Sequence, residues 1–287
     1  MRRSEAQSGL DKIAIRMPFG LAVGLADPGP VLAIRADRGP PGSILTRVSV
    51  LAAGPVQLPV QLVRAAHPLH ALATAVVLGA AALLSGRPLR EGVLVAATVL
   101  VGQAVIGWHN DLVDRDRDAA HGRSGKPLAT GSLDPGTVWF AVACGVLLVV
   151  PLALGSGVTA GCVYLLSVAV ALLGNVALRR TAWSWLPWAV SFGLLPAFLS
   201  YGGWGGQSVG DPPTLVMTVL AALLGVAVHV LLALPDLVDD NADGLRHLPL
   251  RVALRTGARR LLVFTIVVTV FLAAAIVVAG LTVGLRK

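Results

Sequence analysis

An all-α, polytopic transmembrane helical bundle is the fold class the sequence predicts, and three observations predict it. Of 287 residues, 55% are hydrophobic and 13% charged, with a mean hydropathy of +0.78, whereas a soluble domain carries about a quarter charged residues. Seven apolar stretches, at 68–85, 92–109, 137–154, 158–178, 182–200, 213–234 and 261–283, approach the ~20 residues that a helix needs to cross a hydrocarbon core. With the N-terminal end taken as cytoplasmic, 19 of the 23 Lys and Arg fall on one side of the membrane. That asymmetry is the positive-inside pattern.

Each segment follows from its composition. Residues 1–62 are rich in Pro, Gly and Arg, as in Asp27-Pro28-Gly29-Pro30 and Arg38-Gly39-Pro40-Pro41-Gly42. They show no sustained helical or strand period and no compact apolar run followed by a cleavage site. They are expected to be a disordered cytoplasmic extension, from a start placed upstream of the working domain. Residues 63–287 form the transmembrane domain. Its apolar stretches are dominated by Ala, Val, Leu and Gly, small enough for helices to approach closely in a bilayer. The net charge of +8 follows topology rather than a face for nucleic acid, so no nucleic-acid partner is expected. Cys144 and Cys162 lack the number and spacing of a metal cluster or disulfide framework, and are expected to be buried bystanders.

Two connections are long and acidic. One runs over 110–136 after the second apolar stretch, the other over 236–260 after the sixth. Together they hold eight of the fifteen Asp and Glu: Asp111, Asp114, Asp116, Asp118, Asp236, Asp239, Asp240 and Asp243. If the second helix continues, Asn110, Asp114 and Asp118 share one face, because a step of four residues drifts by only about 40°. Asp236 and Asp240 repeat that spacing, as do Asp239 and Asp243. The recurrence suggests an internal duplication with one acidic motif per half. Carboxylates at the C-terminal ends of helices oppose the helix dipole, and acids at membrane depth mark function. A donor set made only of oxygen suits a hard cation, and Mg²⁺ commonly binds through one or two carboxylates plus substrate phosphates. Arg115, Arg117, Arg123, Lys126 and Arg246 flank the acids and are candidates for phosphate oxygens. The plain alternative is that these cations only set topology. A non-catalytic carrier is the reading from another class; it calls for acids along the spans, whereas these acids stand at span ends.

At these residues the chain resembles the UbiA superfamily of intramembrane prenyltransferases. Asn110, Asp114 and Asp118 match its first motif, and Asp236 and Asp240 its second, with Asp239 in the acidic filling between them. Lys126-Pro127-Leu128-Ala129-Thr130-Gly131 is similar to a further family segment. So is Arg179-Arg180-Thr181 followed by Trp185 and Pro187, and so is Arg64 with Pro68 at the entry to the first helix. The resemblance covers about residues 62–284. It implies a cytoplasm-facing cavity, a lateral opening for an isoprenoid tail, and nine transmembrane helices where seven are counted here. It further implies Mg²⁺ on Asn110, Asp114, Asp118, Asp236 and Asp240. The diphosphate of a prenyl diphosphate would meet Lys126, Arg123, Arg180, Arg246 and Arg64, and Asp111 or Asp239 would accept the proton released. The expected reaction is prenyl transfer to a lipophilic or aromatic acceptor among the membrane lipids, in the cytoplasmic membrane of a prokaryote with the acids facing the cytoplasm. Acceptor identity stays open, and some relatives cyclise the prenyl cation instead. His109 and His229 read as packing residues.

Overall fold

The structure, a computed structural model, describes residues 57–203 and 210–285. Its helices are α1 (Gln57–Ala65), α2 (Pro68–Leu84), α3 (Leu89–Ala120), α4 (Pro135–Leu154), α5 (Val158–Leu173), α6 (Leu186–Tyr201), α7 (Leu215–Ala233), α8 (Leu237–Ala242), α9 (Leu248–Thr256) and α10 (Ala258–Thr282). A π-helical turn, Gly174–Leu178, prolongs α5, and a 3₁₀ turn, Leu234–Asp236, joins α7 to α8.

Every expected span has its apolar helix, but not all reach full length. Among the described residues, five helices are long and apolar enough to cross a membrane: α3, α4, α5 with its π turn, α7 through α8, and α10. Helices α1 and α2 make a sixth if counted as one span bent by 64°. The bend has a local cause: Pro68 lacks an N–H, and His67 before it adopts a left-handed φ of 52°. Helix α6, at 16 residues, is only about 24 Å long, because residues 181–185 form turns and Pro187 lies in its first turn.

The expected extension over 1–62 needs a correction at its end. Residues 1–56 lie outside the described residues, while 57–62 are helical and open α1. That helix is amphipathic, and its packing holds it: Ala65 is buried in a cluster with Leu128, Leu133 and Val138, against which Leu62 and Trp108 pack. Trp108 Nε1 also donates to the Leu62 carbonyl at 2.8 Å.

Successive helices pack on one another, α2 on α3, α3 on α4, and onward to α7, which also carries α10. Small residues set the separations. A Cβ on Gly79 of α2 would lie 3.0 Å from the Ala96 Cβ of α3, and one on Gly225 of α7 would run into the Trp188 carbonyl of α6. The core around α3 and α5 centres on Val95, Val99, Tyr164 and Phe198. Cys144 and Cys162 are exposed on the outer faces of α4 and α5, not buried as expected; in a bundle that faces lipid, an apolar thiol needs no interior.

Candidate functional site

Helix α3 has 32 residues, about 48 Å, so it outruns an apolar core of about 30 Å and carries the first acidic motif on its last turns. It stops at His121, where Gly122 takes a positive φ of 64°. The continuation settles which acids share a face. Asp111, Asp114 and Asp118 are buried, at 2%, 8% and 7% exposure, whereas Asp116 turns outward and pairs only with its neighbour Arg115 at 2.9 Å. Asn110 is half-buried on the same helix. The second motif runs through the 3₁₀ turn into α8, which buries Asp240 and leaves Asp236 and Asp239 partly exposed.

Buried carboxylates demand counter-charges, and the chain supplies them from several elements. Lys126 Nζ lies 2.9 Å from Asp111 Oδ1 and 2.9 Å from Asp118 Oδ2. His67, from the α1–α2 break, reaches Asp111 Oδ1 at 3.0 Å, and Arg179 Nη1 pairs with Asp114. Two further cations cross from the first motif to the second. Arg117 pairs with Asp240 and, at 2.6 Å, with Asp243. Arg123 donates to both Asp236 and Asp239 at 2.6 Å. His121 adds contacts of 3.0 Å to Asp243 and 3.7 Å to Asp239. The two acidic motifs, more than a hundred residues apart in sequence, are therefore one cluster in space.

Ionisation in the connecting segments follows these contacts. Burial works against the charge on Lys126, but Asp111 and Asp118 outweigh it and hold the ammonium above its ordinary range. Arg123 is raised likewise by Asp236 and Asp239 against partial burial. Hydrogen bonds from Arg117 and His121 hold the Asp243 carboxyl below the usual carboxylate range.

Beside the cluster is a cavity of about 490 Å³ whose lining includes Arg64, His67, Asp111, Arg123, Ser124 and Lys126. Three cations thus face one space with the glycine-bearing turn 122–125. Arg180 and Arg246 are not brought to the acids. Both are exposed; the Arg180 carbonyl accepts from the Arg246 N–H at 3.2 Å, and the Arg246 side chain donates to the Leu245 carbonyl. Sequence reasoning missed Arg179, which pairs with Asp114 one residue from the Arg180 it chose. It also missed His67, His121 and His247, and it offered Arg117 to phosphate oxygens without seeing that it bridges to Asp240 and Asp243. The helical register of α3 carries the signal for Arg117, adjacent to Asp118 and one turn from Asp114. Nothing local in the sequence marks the histidines. His109 packs edge-on against Trp139 and His229 stacks on Trp188, with polar contacts to Asn175 and Ser184.

Among the described residues, no three His, Cys, Asp or Glu side chains are gathered as a ready metal cage, since the carboxylates are spread over their cationic partners. The donor chemistry nevertheless fits a hard cation. The donors are carboxylate oxygens with the Asn110 amide beside them, and the buried Asp118 Oδ2 has only the Lys126 ammonium, at 2.9 Å, close to it.

A family model described as the UbiA prenyltransferase family matches residues 71–286. The chain belongs to that family. Among solved structures, a UbiA homolog from Archaeoglobus fulgidus bound to GPP and Mg²⁺ is 18% identical, with a TM-score of 0.57, covering 74% of this chain and 77% of that one. The same homolog bound to DMAPP and Mg²⁺ gives 19% identity, a TM-score of 0.57 and coverage of 75% and 77%. The apo structure of a UbiA homolog from Aeropyrum pernix K1 gives 22%, 0.55, 71% and 76%. At these identities the likeness establishes the fold. A comparison with curated proteins finds no match. Family membership and the apolar helices make the chain an integral membrane protein.

Proposed function

We propose that this chain is a Mg²⁺-dependent prenyltransferase, transferring the prenyl group of a prenyl diphosphate to a lipophilic or aromatic acceptor within the membrane. The observation that carries the reading is the meeting of two carboxylate motifs, bridged by Arg117 and Arg123, next to a cation-lined cavity. The relatives bound to GPP or DMAPP with Mg²⁺ support it, since both ligands are prenyl diphosphates.

Asn110, Asp114, Asp118, Asp236 and Asp240 would hold the metal, which supplies Lewis-acid stabilisation of the departing diphosphate. Lys126, Arg123 and Arg64 donate to phosphate oxygens and so draw charge off the leaving group, an effect that grows where water is excluded. The C–O bond of the substrate ionises, and an electron-rich acceptor atom attacks the allylic carbon. Both Asp111 and Asp239 have basic partners, but Asp239 is partly exposed and Asp111 almost fully buried, which favours Asp239 as the acceptor of the released proton. Arg180 and Arg246, which do not reach the acids, would meet the diphosphate only if their segments move. The basic connections put the acidic motifs at the cytoplasmic face, in the cytoplasmic membrane of a prokaryote.

The test is product analysis with purified protein, Mg²⁺, prenyl diphosphates of several lengths and a panel of acceptors. Prenylated acceptor is expected, and it should vanish with chelator. Recovery of cyclised hydrocarbon without acceptor, or no turnover of any diphosphate, would overturn the assignment.

A further inference from the structure

Behind the second motif stands a histidine that no motif includes. His247 is buried at 4% exposure, at the N-cap of α9. Its Nδ1 accepts the backbone N–H of Leu250 at 3.2 Å. A backbone amide only donates, so Nδ1 carries no proton and Nε2 carries it. That Nε2 lies 2.7 Å from Asp240 Oδ2, and the contact is therefore an N–H donating to a carboxylate. The histidine is itself anchored. Its neighbour Leu248 donates its N–H to Ser184 Oγ at 3.3 Å, and the Arg246 N–H donates to the Arg180 carbonyl. Both ties run to the segment that follows α5.

The two oxygens of Asp240 consequently have different partners. Oδ2 is held by a neutral, buried ring whose tautomer is fixed by a helix cap. Oδ1 is held by Arg117, a long side chain with Asp243 as a second partner. The first contact is built into the fold; the second is exchangeable.

We propose that His247 is a positioning residue for Asp240. It fixes one carboxylate oxygen and the plane of the group, so that the other can pass from Arg117 to a divalent cation without the side chain swinging. This rests on the reading of Asp240 as a metal ligand. Partners of this kind behind a ligand typically change metal affinity or activity about 10- to 100-fold when lost.

Two substitutions separate this role from helix capping. His247→Asn keeps an acceptor near the Nδ1 position, and Asn is a favoured N-cap, but it is too short to reach Asp240. His247→Gln places an amide N–H near the Nε2 position and gives up the cap. Bound Mn²⁺ is counted by electron paramagnetic resonance in the presence of a non-hydrolysable prenyl diphosphate analogue, alongside thermal unfolding in detergent. His247→Asn should unfold near the wild-type temperature yet bind Mn²⁺ about 10- to 100-fold more weakly, with the Mg²⁺ needed for half-maximal turnover shifted in parallel. His247→Gln should keep Mn²⁺ affinity within a few-fold and lose thermal stability. Wild-type Mn²⁺ affinity in His247→Asn, or affinity that tracks unfolding temperature through both variants, would make His247 a cap only. A wild-type protein that binds no Mn²⁺ with the analogue would overturn the metal reading, and this assignment with it.

Discussion

Replacing Lys126 by Gln asks whether a cation in a basic connection belongs to the site or only to topology. Its ammonium touches Asp111 and Asp118, each at 2.9 Å. Removing one partner of a buried pair costs about 3–5 kcal/mol when the other is left alone. Asp111 keeps His67 at 3.0 Å, but the buried Asp118 loses its one ion-pair partner among the described residues. With the Lys126 side chain 27% exposed, the stability loss should fall near the lower end of that range. A charge-assisted contact to a phosphate oxygen is worth about 1.5–3 kcal/mol, or roughly 10- to 150-fold in affinity at ~1.4 kcal/mol per decade. Calorimetric titration of a prenyl diphosphate analogue at saturating Mg²⁺ reads the second quantity, and unfolding in detergent the first. The variant should insert normally, unfold somewhat earlier and bind the analogue 10-fold or more weakly, with no rescue by extra Mg²⁺. Affinity equal to wild type in a stably folded Lys126→Gln protein would refute a phosphate contact and leave the residue to topology and to Asp111.

Asp114→Ala and Asp236→Ala should each lower turnover by orders of magnitude with expression and insertion unchanged; near-normal rates with every substrate tried would sink the diphosphate reading. Mg²⁺ and the diphosphate analogue should bind cooperatively, seen as far weaker Mn²⁺ binding without analogue than with it, and equal affinities in the two titrations would contradict this. Cysteines at Ser124 and at Ser85, both exposed, should be labelled from opposite faces, the former from the cytoplasm; labelling from one face breaks the assigned topology. Asp243, with its pKa depressed by Arg117 and His121, contributes stability that is present above the ordinary carboxylate value of about 4 and lost as pH falls below it. Asp243→Asn should flatten that acid limb of the unfolding temperature, and an unchanged limb would assign it elsewhere.

Much of this was legible in the sequence because it rests on short-range periodicity. Apolar runs marked the helices, and a repeat of four put Asn110, Asp114 and Asp118 on one face once α3 was known to continue. Composition misled at α1: a Pro- and Gly-rich stretch hid the start of an amphipathic helix at Gln57, which packs with Trp108 and Leu128 far along the chain. Which cation meets which acid was not legible either. Arg179 rather than Arg180 reaches Asp114 because the π turn at Gly174–Leu178 shifts the register at the end of α5, and no local pattern announces that turn. His247 was invisible for the same reason, since its partner's orientation depends on the turns between α8 and α9.

The charge balance of the cluster explains why an anionic substrate would need to arrive with a metal. Among the described residues, Asp111, Asp114, Asp118, Asp236, Asp239, Asp240 and Asp243 form ion pairs with four permanent cations, Arg117, Arg123, Lys126 and Arg179. The first motif also lies on the last turns of α3, where the helix dipole adds negative potential. A bare diphosphate approaching this surface is repelled, and at an effective dielectric of about 20 each like-charge pair at ~4 Å costs about 4 kcal/mol. A divalent cation alone fares only moderately better, because the carboxylates it wants are already engaged by arginine and lysine. A cation arriving with the diphosphate would be held by carboxylate oxygens, Arg117, Arg123 and Lys126 would turn to phosphate oxygens, and the excess negative charge would fall. On that reading the side chains that hold the cluster together would also bind the substrate, so losing any of them should weaken folding and binding at once.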